Sequence, residues 1–148
     1  MLVATGRYNG SDPVLKISIG PDPENFQQFD AIIDTGCTGF LSIPSAVAGH
    51  LNIKPDHAQQ LTYADGKTHA AFGALGYASI GGKVHEGTIT IEEHSVDILL
   101  GIDFLRRFKL AIFMTSKHII LMDENELEKL QQMKVIDQQA GVLDGPPP

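Results

Sequence analysis

One aspartate stands where a carboxylate could do chemistry. Asp34 follows the apolar run Ala31-Ile32-Ile33 and precedes Thr35 and Gly36. This order predicts a carboxylate on a tight turn at the end of a strand, with Gly36 leaving room for another backbone or a second carboxylate. The Gly36 amide could donate to the carboxylate, and the Thr35 hydroxyl could bond to a symmetry-related loop. Two carboxylates about 3 Å apart would share one proton and so supply an acid and a base together.

The elements around this turn read as short strands. Residues 14–19 alternate apolar and polar side chains, which is the period of a half-buried strand. Residues 26–33 form a second extended run. Asp65-Gly66 between two extended runs predicts a hairpin, because a type I′ turn needs positive φ at both central positions. Ser45 is expected to cap a brief helix over residues 46–51.

Three segments resemble one protein family. Residues 32–37, Ile-Ile-Asp-Thr-Gly-Cys, resemble the active-site loop of retropepsin-like aspartic proteases. Residues 98–105, Ile-Leu-Leu-Gly-Ile-Asp-Phe-Leu, resemble the apolar-apolar-Gly segment and helix near the end of that domain, especially in cellular and bacterial single-domain members. The Asp65-Gly66 hairpin lies where the family carries its flap. Leu41-Ser42-Ile43-Pro44, followed by a short helix, also fits, so the resemblance covers about residues 14 to 122.

The resemblance implies an all-β fold. We expect a retropepsin-like closed β-barrel over residues 1–122, with a short helix after Leu99-Leu100-Gly101. A C-terminal helix over residues 123–136 would begin at Asp123 as its cap and pack on the barrel. Residues 137–148 are expected to be a flexible tail.

The resemblance also implies an aspartic endopeptidase with Asp34, Thr35 and Gly36 as catalytic residues. Two-lobed members carry two Asp-Thr-Gly or Asp-Ser-Gly loops, whereas this chain has one, so the second carboxylate would come from a second copy in a homodimer. A water held between the two Asp34 carboxylates would attack the peptide bond. Asp103 is a poorer second carboxylate, because no Ser/Thr-Gly follows it and it starts a helix, where capping or a surface role is favoured.

The partner implied besides a second copy is a polypeptide substrate, lying extended as an added strand under the flap. The substrate-binding candidates comprise five flap residues and two residues of the Leu-Leu-Gly segment: Tyr63, Ala64, Asp65, Gly66, Lys67, Leu100 and Ile102. For Tyr63, a half-buried strand position is an equal alternative.

Composition and charge limit the partners, cofactors and cellular location that we expect. The net charge of −7 disfavours nucleic acid and an anionic membrane surface as partners. No apolar run approaches the roughly 20 residues that cross a bilayer. Cys37 is the single cysteine and no signal peptide is visible, so we expect a cytoplasmic protein. The six histidines form no metal-binding pattern, and we expect no metal or other cofactor.

Two alternatives to a general endopeptidase stay open. A chain with this fold could be a non-catalytic peptide-binding or dimerisation module, because folds outlast functions. It could also be a processing enzyme for one dedicated partner. The intact Asp34-Thr35-Gly36 favours an enzyme, since a binding module has no need for a costly carboxylate pair.

Overall fold

The computed structural model describes residues 2–62 and 65–133, which form a mainly-β protein. The strands are β1 (Leu2–Asn9), β2 (Asp12–Asp22), β3 (Asn25–Ile33), β4 (Leu41–Pro44), β5 (His57–Thr62), β6 (Thr68–Ile80), β7 (Lys83–Glu92), β8 (Leu99–Leu100), β9 (Leu110–Met114) and β10 (Ile119–Asp123). The helices are α1 (Ser45–Leu51), α2 (Ile102–Arg107) and α3 (Glu124–Gln132). Residues 134–136 of the predicted C-terminal helix and the predicted tail over residues 137–148 lie outside the described residues.

The strands form one sheet in the order β5-β6-β7-β4-β8-β3-β2-β1-β10-β9. Strand β6 also pairs with β2, so the sheet curls back on itself. Most neighbours are antiparallel, but β8 runs parallel to β3 and β4 runs parallel to β7. These two parallel pairings place chain segments that are distant in sequence side by side at the centre of the sheet.

The core lies on one face of these central strands. Leu15, Ile17 and Ile19 alternate with polar residues on β2 and are each at most 1% exposed, as the alternating pattern predicts. Each such burial contributes roughly 1.5–3 kcal/mol. Phe104 of α2 and Phe108, the C-cap residue of that helix, add an aromatic pair to the core, because their ring centroids lie 4.4 Å apart and both are at most 1% exposed.

Two local predictions need correction and one is confirmed. Pro44 rather than Ser45 occupies the N-cap of α1, without a side-chain cap, because Ser45 already lies within the helix. The ladder of the flap hairpin ends at Thr62 and Thr68, so five residues connect β5 and β6 instead of a two-residue type I′ turn. Asp123 does cap α3, where its side chain accepts a hydrogen bond from the Asn125 amide at 3.0 Å.

The physical reason for the wider flap turn lies in the described residues of the connection. Positive φ occurs at Gly66 (79°) but not at the described Asp65. The Asp65 carboxylate instead accepts a hydrogen bond from the Lys67 amide at 2.9 Å, which is the local bond of an Asx-turn. The hairpin itself lies where the sequence predicts it.

Candidate active site

Asp34 lies directly after the last residue of β3, beside β8. The Ile32 amide donates to the Ile98 carbonyl at 2.8 Å, and the Asp34 amide donates to the Leu100 carbonyl at 2.9 Å. Both backbone bonds belong to the parallel β3–β8 pairing, and the Asp34 bond extends it one residue past the end of β3. The two segments that carry the family resemblance are therefore hydrogen-bonded to each other.

The turn after β3 orients the Asp34 carboxylate. The Gly36 amide donates a 2.9 Å hydrogen bond to Asp34 Oδ1, and the Cys37 amide donates to the Asp34 carbonyl at 3.1 Å. Asp34 is half-buried, whereas Thr35 and Gly36 are exposed. A methyl group at Gly36 would lie 3.2 Å from Asp34 Oδ1, which is tighter than ordinary van der Waals contact. Gly36 therefore donates a hydrogen bond to the carboxylate and, because it has no side chain, leaves room for it.

Gly101 lies against the far end of the same loop. Its amide donates to the Phe40 carbonyl at 3.1 Å, and the Ile102 amide donates to the Cys37 carbonyl at 2.9 Å. A Cβ atom at Gly101 would overlap the Gly39 carbonyl oxygen and lie 2.8 Å from the Cys37 carbonyl oxygen. The start of α2 can therefore pack on the Asp34 loop only because residue 101 has no side chain.

Asp103 lies in the first turn of α2 and makes a surface ion pair. Its Oδ2 atom accepts a 2.6 Å hydrogen bond from Arg107 Nε, with both side chains more than a third exposed. The N-cap of α2 is Gly101, so the surface role predicted for Asp103 holds and the capping role does not.

The predicted flap residues lie at the end of the β5–β6 hairpin. Asp65, Gly66 and Lys67 are exposed there, and Tyr63 and Ala64 lie outside the described residues. The hairpin ladder runs from His57–Gly73 to Thr62–Thr68. This length gives the hairpin an extended two-stranded base.

The two predicted substrate residues of the Leu-Leu-Gly segment differ in placement. Leu100 is 0% exposed and belongs to the core, which leaves its side chain no access to a ligand. Its neighbour Leu99 is half-buried and points to the opposite face of the sheet, as alternate residues of a strand do. Ile102 is half-buried at the start of α2. Leu99 rather than Leu100 is therefore the side chain of this segment on the face that carries Ile32.

Cys37 has the environment of an unreactive thiol. Burial raises its pKa, a hydrogen bond involving the Gly39 backbone lowers it, and the charges of Asp34 and Glu92 raise it further. A raised pKa keeps the thiol protonated at neutral pH, which is the unreactive form of a cysteine.

Asp34 lines neither of two surface cavities of the chain. A cavity of about 110 Å³ is bordered by Arg7, Asp30 and Ile32, and another of about 350 Å³ by Phe72 and Ile91. Within residues 2–62 and 65–133, no grouping of three or more His, Cys, Asp or Glu could hold a metal ion. In that same part of the chain, no helix combines the length and apolar character needed to cross a membrane.

Comparison with known proteins agrees with the geometry. The aspartyl protease family model matches residues 16–104, more than half of the chain, and the chain therefore belongs to that family. A retropepsin-like aspartic protease from Rickettsia conorii has a similar fold, with a TM-score of 0.59 at 19% identity over 82% of this chain and 88% of that chain. The EIAV protease, solved with the inhibitor HBY-793, gives 0.55 at 16% identity over 72% of this chain and 98% of that chain.

No curated protein sequence matches the chain. The structural similarities show a retropepsin-like fold, and the family match confirms the resemblance predicted from Asp34-Thr35-Gly36 and the Leu-Leu-Gly segment.

Proposed function

We propose that this protein is an aspartic endopeptidase that works as a homodimer with one Asp34 from each subunit. The observation that carries the proposal is the half-buried Asp34 carboxylate, held at a strand end by the Gly36 amide at 2.9 Å. The sequence has one such loop, and Asp34 lines neither surface cavity of the single chain. A second copy related by a two-fold axis supplies both the missing carboxylate and the second wall of the cleft.

The chemistry follows from pairing two like charges. Two carboxylates about 3 Å apart cannot both ionise easily, so the pair holds one proton. The ionised Asp34 takes a proton from a bound water, and the oxygen of that water attacks the peptide carbonyl carbon. The protonated Asp34 donates to the carbonyl oxygen, and the pair then delivers a proton to the leaving nitrogen. The titration belongs to the pair, so activity is bell-shaped in pH.

Other groups of the loop and flap have supporting roles. Thr35 is exposed, and its hydroxyl bonds the partner's loop across the two-fold axis in this proposal. The exposed hairpin residues Asp65, Gly66 and Lys67 cover an extended substrate, which adds to the flap as a strand. The same proposal includes three further points. The sheet closes into a barrel, the protease domain ends at residue 122, and the protein is cytoplasmic.

The test is cleavage of a diverse library of unstructured peptides from about pH 3.5 to 7.5. Wild type is compared with Asp34→Asn, and Asp103→Asn is the matched control because it removes a carboxylate from a surface ion pair. We expect cuts by wild type and Asp103→Asn that Asp34→Asn does not make. Cuts shared by all three proteins, or an absence of cuts by wild type across the range, would overturn the proposal.

A further inference from the structure

One row of side chains crosses the sheet next to Asp34. The strand registers place Ile32 beside Leu99, Leu99 beside Ser42, and Ser42 beside Thr90. Residues paired across neighbouring strands point to the same face. Asp34 follows Ile32 by two residues along the continued ladder, so its side chain belongs to this face as well.

The next row of paired residues shows which face of the sheet carries Ile32 and Thr90. Ile33, Leu100, Leu41 and Ile89 are paired in the same way one position along, and each is at most 5% exposed in the core. Because successive residues of a strand alternate between faces, the row of Ile32 and Thr90 looks away from the core, toward the side that carries Asp34.

The β4–β7 end of this row is polar. The Ser42 hydroxyl donates a 2.7 Å hydrogen bond to Glu92 Oε2, and the Thr90 hydroxyl donates to Gln59 Oε1 at 3.0 Å. Glu92 follows Thr90 by two residues on β7 and shares its face. Ser42 is 5% exposed, and among the described residues it is the one polar side chain in the buried class. A buried hydroxyl therefore fixes a half-buried carboxylate on the Asp34 face.

The charge of Glu92 also acts on the loop that follows Asp34. The charges of Asp34 and Glu92 both raise the pKa of the Cys37 thiol, and the Cys37 amide donates to the Asp34 carbonyl at 3.1 Å. Glu92 thus shares the electrostatic surroundings of the loop.

We infer that Ser42, Thr90 and Glu92 form a polar specificity subsite that takes a basic side chain, lysine or arginine, of the peptide substrate. The inference rests on the proposed function and names its substrate class. A half-buried carboxylate held by a hydroxyl attracts an ammonium or guanidinium group more strongly than an exposed one does. An apolar substrate side chain placed against this carboxylate would offer it neither an opposite charge nor a hydrogen bond. In the homodimer, one polar subsite lies on each side of the scissile bond.

The experiment uses peptide pairs that carry lysine or norleucine at each position near the cleaved bond. Norleucine keeps the alkyl stem of lysine and removes its charge. For wild type we expect kcat/KM for lysine to exceed that for norleucine about tenfold or more at one position. Glu92→Gln should reduce this ratio to about twofold, with an unchanged denaturation midpoint. Glu93→Gln is the matched control, since it removes the same charge from the next, exposed residue and should keep the wild-type ratio.

Binding separates this inference from the proposed function. The same peptides are titrated into Asp34→Asn and into Asp34→Asn combined with Glu92→Gln, neither of which needs to cleave. Tighter binding of the lysine peptide that Glu92→Gln removes supports the polar subsite even if wild type cleaves nothing. Preference for norleucine at every position, or an equal loss of lysine preference in Glu93→Gln, overturns it.

Discussion

The amide of Asp34 donates a hydrogen bond to the carbonyl oxygen of Leu100 at 2.9 Å. This bond joins the strand that ends at the candidate catalytic carboxylate to the strand that leads into α2. The next residue, Gly101, then packs against the loop that follows Asp34. The position of the carboxylate therefore depends on Leu100 and Gly101 as well as on its own loop.

Gly101→Ala should destabilise the fold by about 2 kcal/mol or more. The added Cβ would overlap the Gly39 carbonyl oxygen and lie 3.0 Å from Cys37 Sγ, so the loop must move. Urea denaturation followed by circular dichroism measures the change. Gly49→Ala in α1 is the matched control, because the new Cβ would point into open space. That control should be neutral or stabilising by up to about 1 kcal/mol, and an equal loss in both variants would contradict the packing argument.

Gly36→Ala should lower kcat at least about tenfold while changing stability by less than about 1 kcal/mol. The new methyl group would lie 3.2 Å from Asp34 Oδ1, and the loop is exposed and free to give slightly. The carboxylate then shifts while the core stays intact. Peptide cleavage and denaturation are measured on the same preparation. Full activity with normal stability would show that the Gly36 contact does not position the carboxylate.

Phe104→Ala should cost about 3–5 kcal/mol of unfolding free energy. Phe104 is 0% exposed and packs against Phe40 and Phe108, with ring centroids 5.3 and 4.4 Å away. Phe72→Ala is the control because that ring is 55% exposed, and its loss should cost less than about 1 kcal/mol. Equal midpoints for the two variants in denaturant would contradict the assignment of Phe104 to the core.

Asp123→Asn should lower stability at neutral pH but not in strong acid. A hydrogen bond from Lys83 lowers the pKa of Asp123, and the Asn125 amide lowers it further. Because the Asp123 carboxyl has a lower pKa in the folded protein, its ionised form stabilises the fold at pH values above about 3.9, the pKa of aspartate in the unfolded chain. The contribution disappears as pH falls through the folded pKa. Asparagine keeps the N-cap of α3, so the variant isolates the charge.

The measurement for Asp123 is the denaturation midpoint of wild type and variant from about pH 7 to pH 2. The difference between the two proteins should shrink toward zero below about pH 4. Lys83→Gln should remove most of the effect of Asp123→Asn when the two are combined, because the 2.6 Å pair is then already broken. A difference that stays constant with pH would exclude the ionised carboxylate as its source.

The sequence was most informative where local patterns coincide with the fold. The apolar run before Asp34 predicted the buried end of β3, and the hairpin at Asp65-Gly66 and the cap at Asp123 were also predictable. These features depend on residues within a few positions of each other. The family resemblance indicated the fold, and the motifs around Asp34 and Leu100 both lie within residues 16–104, the part of the chain that the family model matches.

Features set by distant pairing were not predictable from local patterns. Strand β1 lacks a regular alternation; its end pairs with β2, but its first residues, 2–6, pair with β10, which begins more than a hundred residues later. Strand β6 runs through Gly73 and Gly76, and side chains from neighbouring strands lie over both glycines. The polar subsite was missed for the same reason, because Ser42 and Glu92 meet only through the parallel β4–β7 pairing.

The most direct test of the central claim mixes wild type with Asp34→Asn at constant total protein, after the subunits have exchanged. Capture of untagged wild type on tagged Asp34→Asn confirms that exchange has occurred. If each active site needs an Asp34 from both subunits, an equal mixture should retain about one quarter of the activity of pure wild type. Activity that falls only to about one half, in proportion to the wild-type fraction, would contradict the shared site.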